Sequence, residues 1–417
     1  MRRFLGNSDQ YENVFLKWSE SERTYRRDRN AFPVDEELLG AMRYCGIDAD
    51  IYPMLISVAT QIQRSDYLNR LAWHCRWRLF DDPEPSELLR WPLLADALGD
   101  NRGMFYLLVG LSMVPYVQKH HRSRSIPEYV TQDTCRIIRS FCESYQLGHN
   151  GNPGIQRSRI SWLRHYPRNP LFRIRGLEYW IRENPIPLTV FRNRKNRAVV
   201  ALMWNDESVG SDGYLLRNSD EYGVWMTLYK ENDTSITGHV VHPNGRVQSE
   251  KATLSLDKWQ RVLGLGDLVL QLHFPHGADI APDSVEQSFR AAIEFFRRYY
   301  RDEKPVAFIS ESWVFSPILE SLIGPESKAV RLQKELYIAS EPPGGGGFSF
   351  IFPEDEFRLE TATQKTRLQR AIVNHLNSGG KWRIGETFFL IDDIEQFGTQ
   401  YYLNQFDSTF ERCSRQR

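Results

Sequence analysis

A chain of 417 residues is long enough for two or three domains, each with its own core. Hydrophobic residues make up 41% and charged residues 25%, ordinary values for a globular protein, and 53 Lys+Arg balance 53 Asp+Glu. That balance argues against a nucleic-acid or membrane-surface binder. No apolar run approaches the roughly 18 residues of a membrane span, and the basic start at Met1–Arg3 turns polar at once, unlike a secretion signal. A soluble, cytoplasmic protein is expected.

In chain order, residues 1–34 are polar and charge-rich, an arm or a first surface helix. From 35 to 146 apolar residues recur at three and four, as in Leu38–Met42, Leu68–Leu71–Cys75 and Leu107–Leu111, so this stretch is expected to be all helical. Asp82–Pro85 breaks one helix, and Ser86 opens the next. Ser125–Glu128 opens a last long helix through Cys135, Ile138 and Phe141. Its cysteines, Cys135 and Cys142, lie two turns apart on one face and fit small buried residues. The five cysteines form no metal or disulfide framework. The run Leu147–Gly154, rich in glycine and asparagine, is expected to be a domain boundary.

Beyond it the period changes to two. Strands are expected at 177–180, 188–191, 198–204, 224–229 and 236–241, a meander whose turns include Ser211–Gly213 and the hairpin signal Asn244–Gly245. From Leu268 strands and helices alternate: a strand at 268–274, an amphipathic helix from Pro282 to Tyr300, a strand at 305–310 and a short helix through 317–322. Further strands are expected at 330–339 and 348–352, joined by Gly344–Gly347. A helix at 363–376 closed by Gly379–Gly380 and a strand at 385–391 follow. The body of this second domain is expected over 155–395, and residues 396–417 as a weakly packed tail.

Several stretches, in order from about 35 to 391, resemble a family of bacterial acyltransferase domain-containing proteins. These pair a helical N-acyltransferase N-terminal domain with a GNAT-like C-terminal domain. The matching stretches are Gly110–Pro115, Ile126–Glu128 with Thr134, Gly238–Arg246 with Trp259, Gly266–Pro275, Ser312–Trp313 with Pro317, and Arg331–Gln333. The resemblance implies an α+β protein, an all-α N-terminal domain followed by a GNAT-like mixed-sheet α/β domain. It implies transfer of an acyl group from acetyl-CoA or another acyl-CoA to a small-molecule amine or peptide acceptor. In such a fold two central parallel strands, here 268–274 and 306–312, splay apart to admit the thioester. The helix after the first presents its N-terminal N–H groups to the coenzyme A pyrophosphate. The cofactor-binding residues would then be His276, Gly277, Ala278, Pro282 and Ser284.

The phosphate loop departs from the pattern of that fold. The usual Gln/Arg-x-x-Gly-x-Gly/Ala run is missing, and Asp279 and Asp283 place negative charge where a pyrophosphate would sit. A non-catalytic binding module on a degenerate GNAT-like fold is therefore the alternative.

Acyl transfer needs a base for the amine and a proton for the leaving thiolate. Glu311, near the end of the second splayed strand, suits the base, and Ser312 the donor. Ser316 could also stand as donor, but both serines suit helix N-caps, Ser316 before Pro317 above all, and His273 and His276 could act as base or hydrogen-bond donors. Trp313 is read as a core aromatic. The pairs His239/His242 and His273/His276 lack further ligands, so no metal is expected. Neither a Gly-x-Ser-x-Gly elbow nor a P-loop is present.

Overall fold

The computed structural model describes residues 14–26, 31–84, 91–217, 224–352, 354 and 357–414, so the helix expected from Ser86 and part of the 1–34 arm lie outside the described residues. The chain divides into two compact units, Met1–Ile174 with Pro275–Gly277, and Arg175–Phe274 with Ala278–Arg417.

The first unit is helical: α1 (Trp18–Thr24), α2 (Asp35–Cys45), α3 (Tyr52–Arg64), α4 (Asp66–Arg76), α5 (Ala95–Leu98), α6 (Arg102–Leu111), α7 (Val114–Ser123), α8 (Glu128–Cys135) and α9 (Ile137–Gly148), followed by strand β1 (Leu171–Ile174). After Arg102, α6 carries no charged residue, and Gly103–Leu111 are all buried. An all-round apolar helix belongs in a core, and α6 packs against α3, α4 and α9. The single long helix expected from Ser125 is two, because the chain tightens at Arg136, whose N–H bonds to both Gln132 and Asp133 carbonyls.

The run 147–154 does not leave this unit. Ile155 N–H donates to the Gly103 carbonyl at 3.0 Å, and a Cβ on Gly154 would lie 2.6 Å from Gly103 Cα. Ile155, Ile160, Leu163 and Tyr166 are buried behind it. β1 is fastened to the helices by Arg173, whose N–H donates to Thr134 Oγ1 at 3.1 Å and whose guanidinium donates to Ser140.

The second unit contains β2 (Leu177–Glu183), β3 (Leu188–Asn193), β4 (Val199–Met203), β5 (Ser208–Val209), β6 (Trp225–Met226), β7 (Tyr229–Glu231), β8 (Ser235–Val241), β9 (Asn244–Gly245), β10 (Val247–Ser255), β11 (Trp259–Leu263) and β12 (Leu268–His273). Then come α10 (Pro282–Tyr299), β13 (Ala307–Ser312), α11 (Leu319–Ile323), α12 (Lys328–Glu335), β14 (Tyr337–Ser340), α13 (Phe348–Ile351), α14 (Arg367–Asn377), β15 (Gly385–Leu390) and α15 (Tyr401–Ser414). Strands β10-β8-β4-β3-β11 form an antiparallel sheet, and a mixed sheet runs in the order β2-β12-β13-β15-β14-β9. Helix α10 buries Val285, Phe289, Ala292 and Phe296. Phe289 stacks on Phe308 of β13 at 3.9 Å, and Ser288 Oγ meets Tyr179 Oη at 2.6 Å.

Four expected elements differ. The strand expected at 224–229 is two short strands in different sheets, β6 beside β5 and β7 beside β8. Most of the expected strand 330–339 is helix α12: Ser327 caps it by accepting Val330 N–H, and only Tyr337–Ser340 is strand. Phe348–Ile351 is one helical turn instead of a strand, so the glycine run joins β14 to a helix. The expected tail is helix α15, with Tyr402 and Phe406 buried. Tyr402 Oη donates to Asp393 and accepts from Leu390 N–H, each at 3.0 Å. Asp393 is also gripped bidentately by Arg192.

Candidate active site

The parallel pairing of β12 with β13 is short: Val269 faces Ala307, Leu270 faces Phe308 and Gln271 faces Ile309. The outer edges stay paired further. β12 follows β2 as far as His273 opposite Glu178, and β13 follows β15 as far as Ser312 opposite Gly385. Each strand is thus held by its outer neighbour to its end, while the ladder between them stops. The next link across is a side chain, Ser310 Oγ donating to the Leu272 carbonyl at 2.9 Å. His273, Glu311 and Ser312 all lie on the unpaired ends, so the register brings all three expected catalytic residues to one end of the opened pair.

The same sheet register adds residues that sequence reasoning missed. Glu311 on β13 stands directly opposite Glu386 on β15, and opposed residues of an antiparallel pair share a face with Cβ atoms about 5 Å apart. Glu341, just past β14, is tied to β15 by its N–H bond to the Ile384 carbonyl at 3.2 Å. Burial, followed by the charges of Glu341, Glu311 and Glu207, pushes the Glu386 carboxyl up to about 8. Burial and Glu311 raise Glu341 to about 7, against the pull of Arg217. Like charges that cannot ionise together are a standard cause of raised carboxyl pKa values. The sequence signal was a lone glutamate in the otherwise uncharged strand Gly385–Leu390. Among the described residues no group of three or more His, Cys, Asp or Glu is placed to hold a metal ion.

Ser312 accepts the Val314 N–H at 3.2 Å, capping the turn Trp313–Phe315. Ser316 does not cap by its side chain: it is buried, and its carbonyl accepts from Gln333 Nε2 at 3.0 Å. Trp313 is half-buried, and the glycine run lies against it. Gly347 has φ +81, and a Cβ there would come 2.6 Å from Trp313 Cβ. Trp382 Nε1 donates to the Gly346 carbonyl at 2.8 Å.

Around the expected phosphate loop, Gly277 adopts φ +78 with open space about it. His276 and Gly277 belong to the N-terminal unit, whereas Ala278, Pro282 and Ser284 belong to the second. Partial enclosure and Arg159 lower the His276 pKa, opposed by Glu143. Pro282 is buried at the first position of α10, which has no side-chain cap. Asp279 is not a loose negative charge. It accepts from Ser284 Oγ at 2.6 Å, Lys328 Nζ at 2.9 Å and Ala281 N–H at 3.1 Å. These bonds, Ser284 first, hold its carboxyl at about 2. Ser284 therefore spends its hydroxyl on Asp279. Asp283 is the exposed carboxylate at the helix start.

Two family models match, the N-acyltransferase N-terminal domain over residues 36–168 and the GNAT-like C-terminal domain over residues 189–389. No curated protein matches the sequence. Solved structures share the fold. One is an acyltransferase in complex with decanoyl-CoA and teicoplanin, with TM-score 0.58 and 17% identity over 94% of this chain and 98% of that one. Another is an acyltransferase mutant in complex with octanoyl-CoA, with TM-score 0.57 and 17% identity over 93% and 98%. A third is an acyltransferase in complex with decanoyl-CoA, with TM-score 0.55 and 18% identity over 93% and 97%. The chain thus belongs to the acyltransferase family that joins an N-acyltransferase N-terminal domain to a GNAT-like C-terminal domain.

Proposed function

We propose that this protein is an acyl-CoA-dependent N-acyltransferase acting on an amine of a small molecule or peptide. The observation that carries the proposal is the opened end of β12 and β13, with a carboxylate cluster at the mouth formed by Glu311, Glu386 and Glu341. The occupants of the similar structures, octanoyl-CoA, decanoyl-CoA and teicoplanin, support it by likeness of fold. In this reading the acyl thioester enters the opened strand pair. The first turn of α10 receives the pyrophosphate, with Ala278, Pro282 and Ser284 beside it.

The cluster supplies the base. An acceptor ammonium gives its proton to a carboxylate, Glu311 in the first instance, and the freed nitrogen attacks the thioester carbonyl carbon. A carbon–nitrogen bond forms and the carbon–sulfur bond breaks; the departing thiolate takes a proton from a donor, and the second proton shed by the acylated nitrogen restores that donor. Ser312 accepts from Val314 N–H, which leaves its own O–H to donate. His273, at the end of β12, is the second candidate donor. Amide and free coenzyme A are the products.

The test is release of free thiol from octanoyl-CoA and acetyl-CoA in the presence of an amine panel, beside calorimetry with coenzyme A. Glu311→Gln is expected to abolish transfer and leave coenzyme A affinity nearly unchanged, because the base acts on the amine and not on the nucleotide. No binding of any acyl-CoA at millimolar concentration would overturn the enzyme reading and leave a binding module on the same fold.

A further inference from the structure

A cleft of about 570 Å³ opens on the N-terminal unit between α1, the end of α4 and α7, within the range of roughly 300–1,000 Å³ common for small-molecule sites. All the residues lining it belong to that unit, so it is separate from the opened strand pair. Its floor is aromatic, with Trp73 and Trp77 buried at the base. The Arg76 guanidinium lies 4.4 Å over the Trp73 ring. It donates to Tyr116 Oη at 2.6 Å and pairs with Asp81 at 3.3 Å. Tyr116 donates to the same Asp81 at 2.8 Å. The one carboxylate lining the cleft is therefore committed, and Arg76 is fixed as a flat cationic lid on Trp73.

The rim is different. Arg23, in the last turn of α1, and Arg26, just beyond it, both line the cleft and are exposed. Neither side chain has a hydrogen bond or ion pair to a described residue. Two guanidinium groups on the rim of one cleft, without a counter-charge among the described residues, gain from an anion that both can reach. Guanidinium forks fit the oxygens of phosphate, and two unmatched charges match a dianion better than a carboxylate. The stacked Arg76–Trp73 pair offers a surface for a planar body below.

We propose that this cleft binds a phosphate monoester with a planar body, its phosphate held by Arg23 and Arg26 and its body laid against the Arg76–Trp73 floor. The full-length protein, saturated with coenzyme A, would be titrated with phenyl phosphate while tryptophan fluorescence is followed. Inorganic phosphate, phenol and benzoate serve as comparison probes. Saturable binding of phenyl phosphate is expected, at least about tenfold tighter than any comparison probe and about tenfold weaker in Arg23→Gln/Arg26→Gln. Both side chains are exposed, so the double variant is expected to keep the wild-type thermal melt. Absence of saturable binding, equal binding of inorganic phosphate, phenol or benzoate, or unchanged affinity in the double variant would overturn the proposal. So would abolition of binding by coenzyme A, since that would place the phosphate on the acyl-donor site.

Discussion

Glu386 shows how one side chain links stability and chemistry. Its carboxyl is raised to about 8 by burial and by Glu341, Glu311 and Glu207, so the folded protein holds a proton that the unfolded chain releases near the ordinary carboxyl value. The native state then binds more protons between about pH 4.5 and pH 8, and stability falls as pH rises through that window. Glu386→Gln keeps the shape and removes the titration. Its melting temperature is expected to exceed that of the wild type at pH 8.5 and to approach it at pH 5, as thermal melts across pH would measure. Catalysis has the opposite sign. Glu311 must hand the acceptor's proton on, and Glu341 and Glu386 can receive it only when ionised, so transfer in the wild type should rise with pH through the 7–8 range set by these two. In Glu386→Gln the like-charge repulsion within the cluster falls, and the rate profile should shift to lower pH. A thiol-release assay from pH 5.5 to 9 reads that shift, and an unmoved profile would remove Glu386 from the proton path.

At the scale of elements, the sequence was clear wherever periodicity was unmixed. The apolar spacing of Val285, Phe289, Ala292 and Phe296 marked α10 almost to the residue, and the apolar runs marked β12 and β13. Helix α12 was hidden because Val330, Leu332 and Leu336 alternate as a strand would. The helical signal lay in Ser327, an N-cap three residues before Val330, and in Ala329–Gln333 spacing. The carboxylate cluster was half legible: Glu311 could be placed from one strand, but Glu386 and Glu341 join it only through the order β13-β15-β14, a long-range pairing that no local pattern encodes. The glycine run likewise separates into distinct positions. Gly345 has only ordinary contact room, with the nearest atom of Phe348 at 3.5 Å, whereas Gly347 combines φ +81 with Trp313 Cβ at 2.6 Å. Gly345→Ala should leave stability nearly unchanged. Gly347→Ala should cost about 2–4 kcal/mol from left-handed strain and overpacking together. Denaturant titration of the two variants distinguishes them. Helix α15 permits a further check, since Tyr402→Phe strands a bond to Asp393 and one from Leu390 N–H, at about 1–3 kcal/mol.

For the whole molecule, the question is where the helical unit ends. A change of period near residue 150 suggested that it stops at the glycine- and asparagine-rich run, yet that run is packed inward. Gly154 lies so close to Gly103 that neither tolerates a Cβ, with Tyr145 pressed 2.4 Å from one on Gly103 and 2.8 Å from one on Gly154. Ile155, Ile160, Leu163, Tyr166 and Phe172 are then wholly buried. Burying a large apolar side chain contributes roughly 1.5–3 kcal/mol, so five of them together approach the whole stability of an ordinary domain, about 5–15 kcal/mol. A fragment ending at 146 loses all five and exposes the face of α6 that Ile155, Ile160 and Leu163 cover at Gly110. A fragment ending at 174 keeps them, along with the Arg173 bonds to Thr134 and Ser140. Residues 1–174 are therefore expected to give a cooperative helical melt by circular dichroism. Residues 1–146 should give a broad, non-cooperative one with early loss of signal. A sharp melt from the shorter fragment would show that the segment 147–174 is an accessory to the helical core instead of part of it.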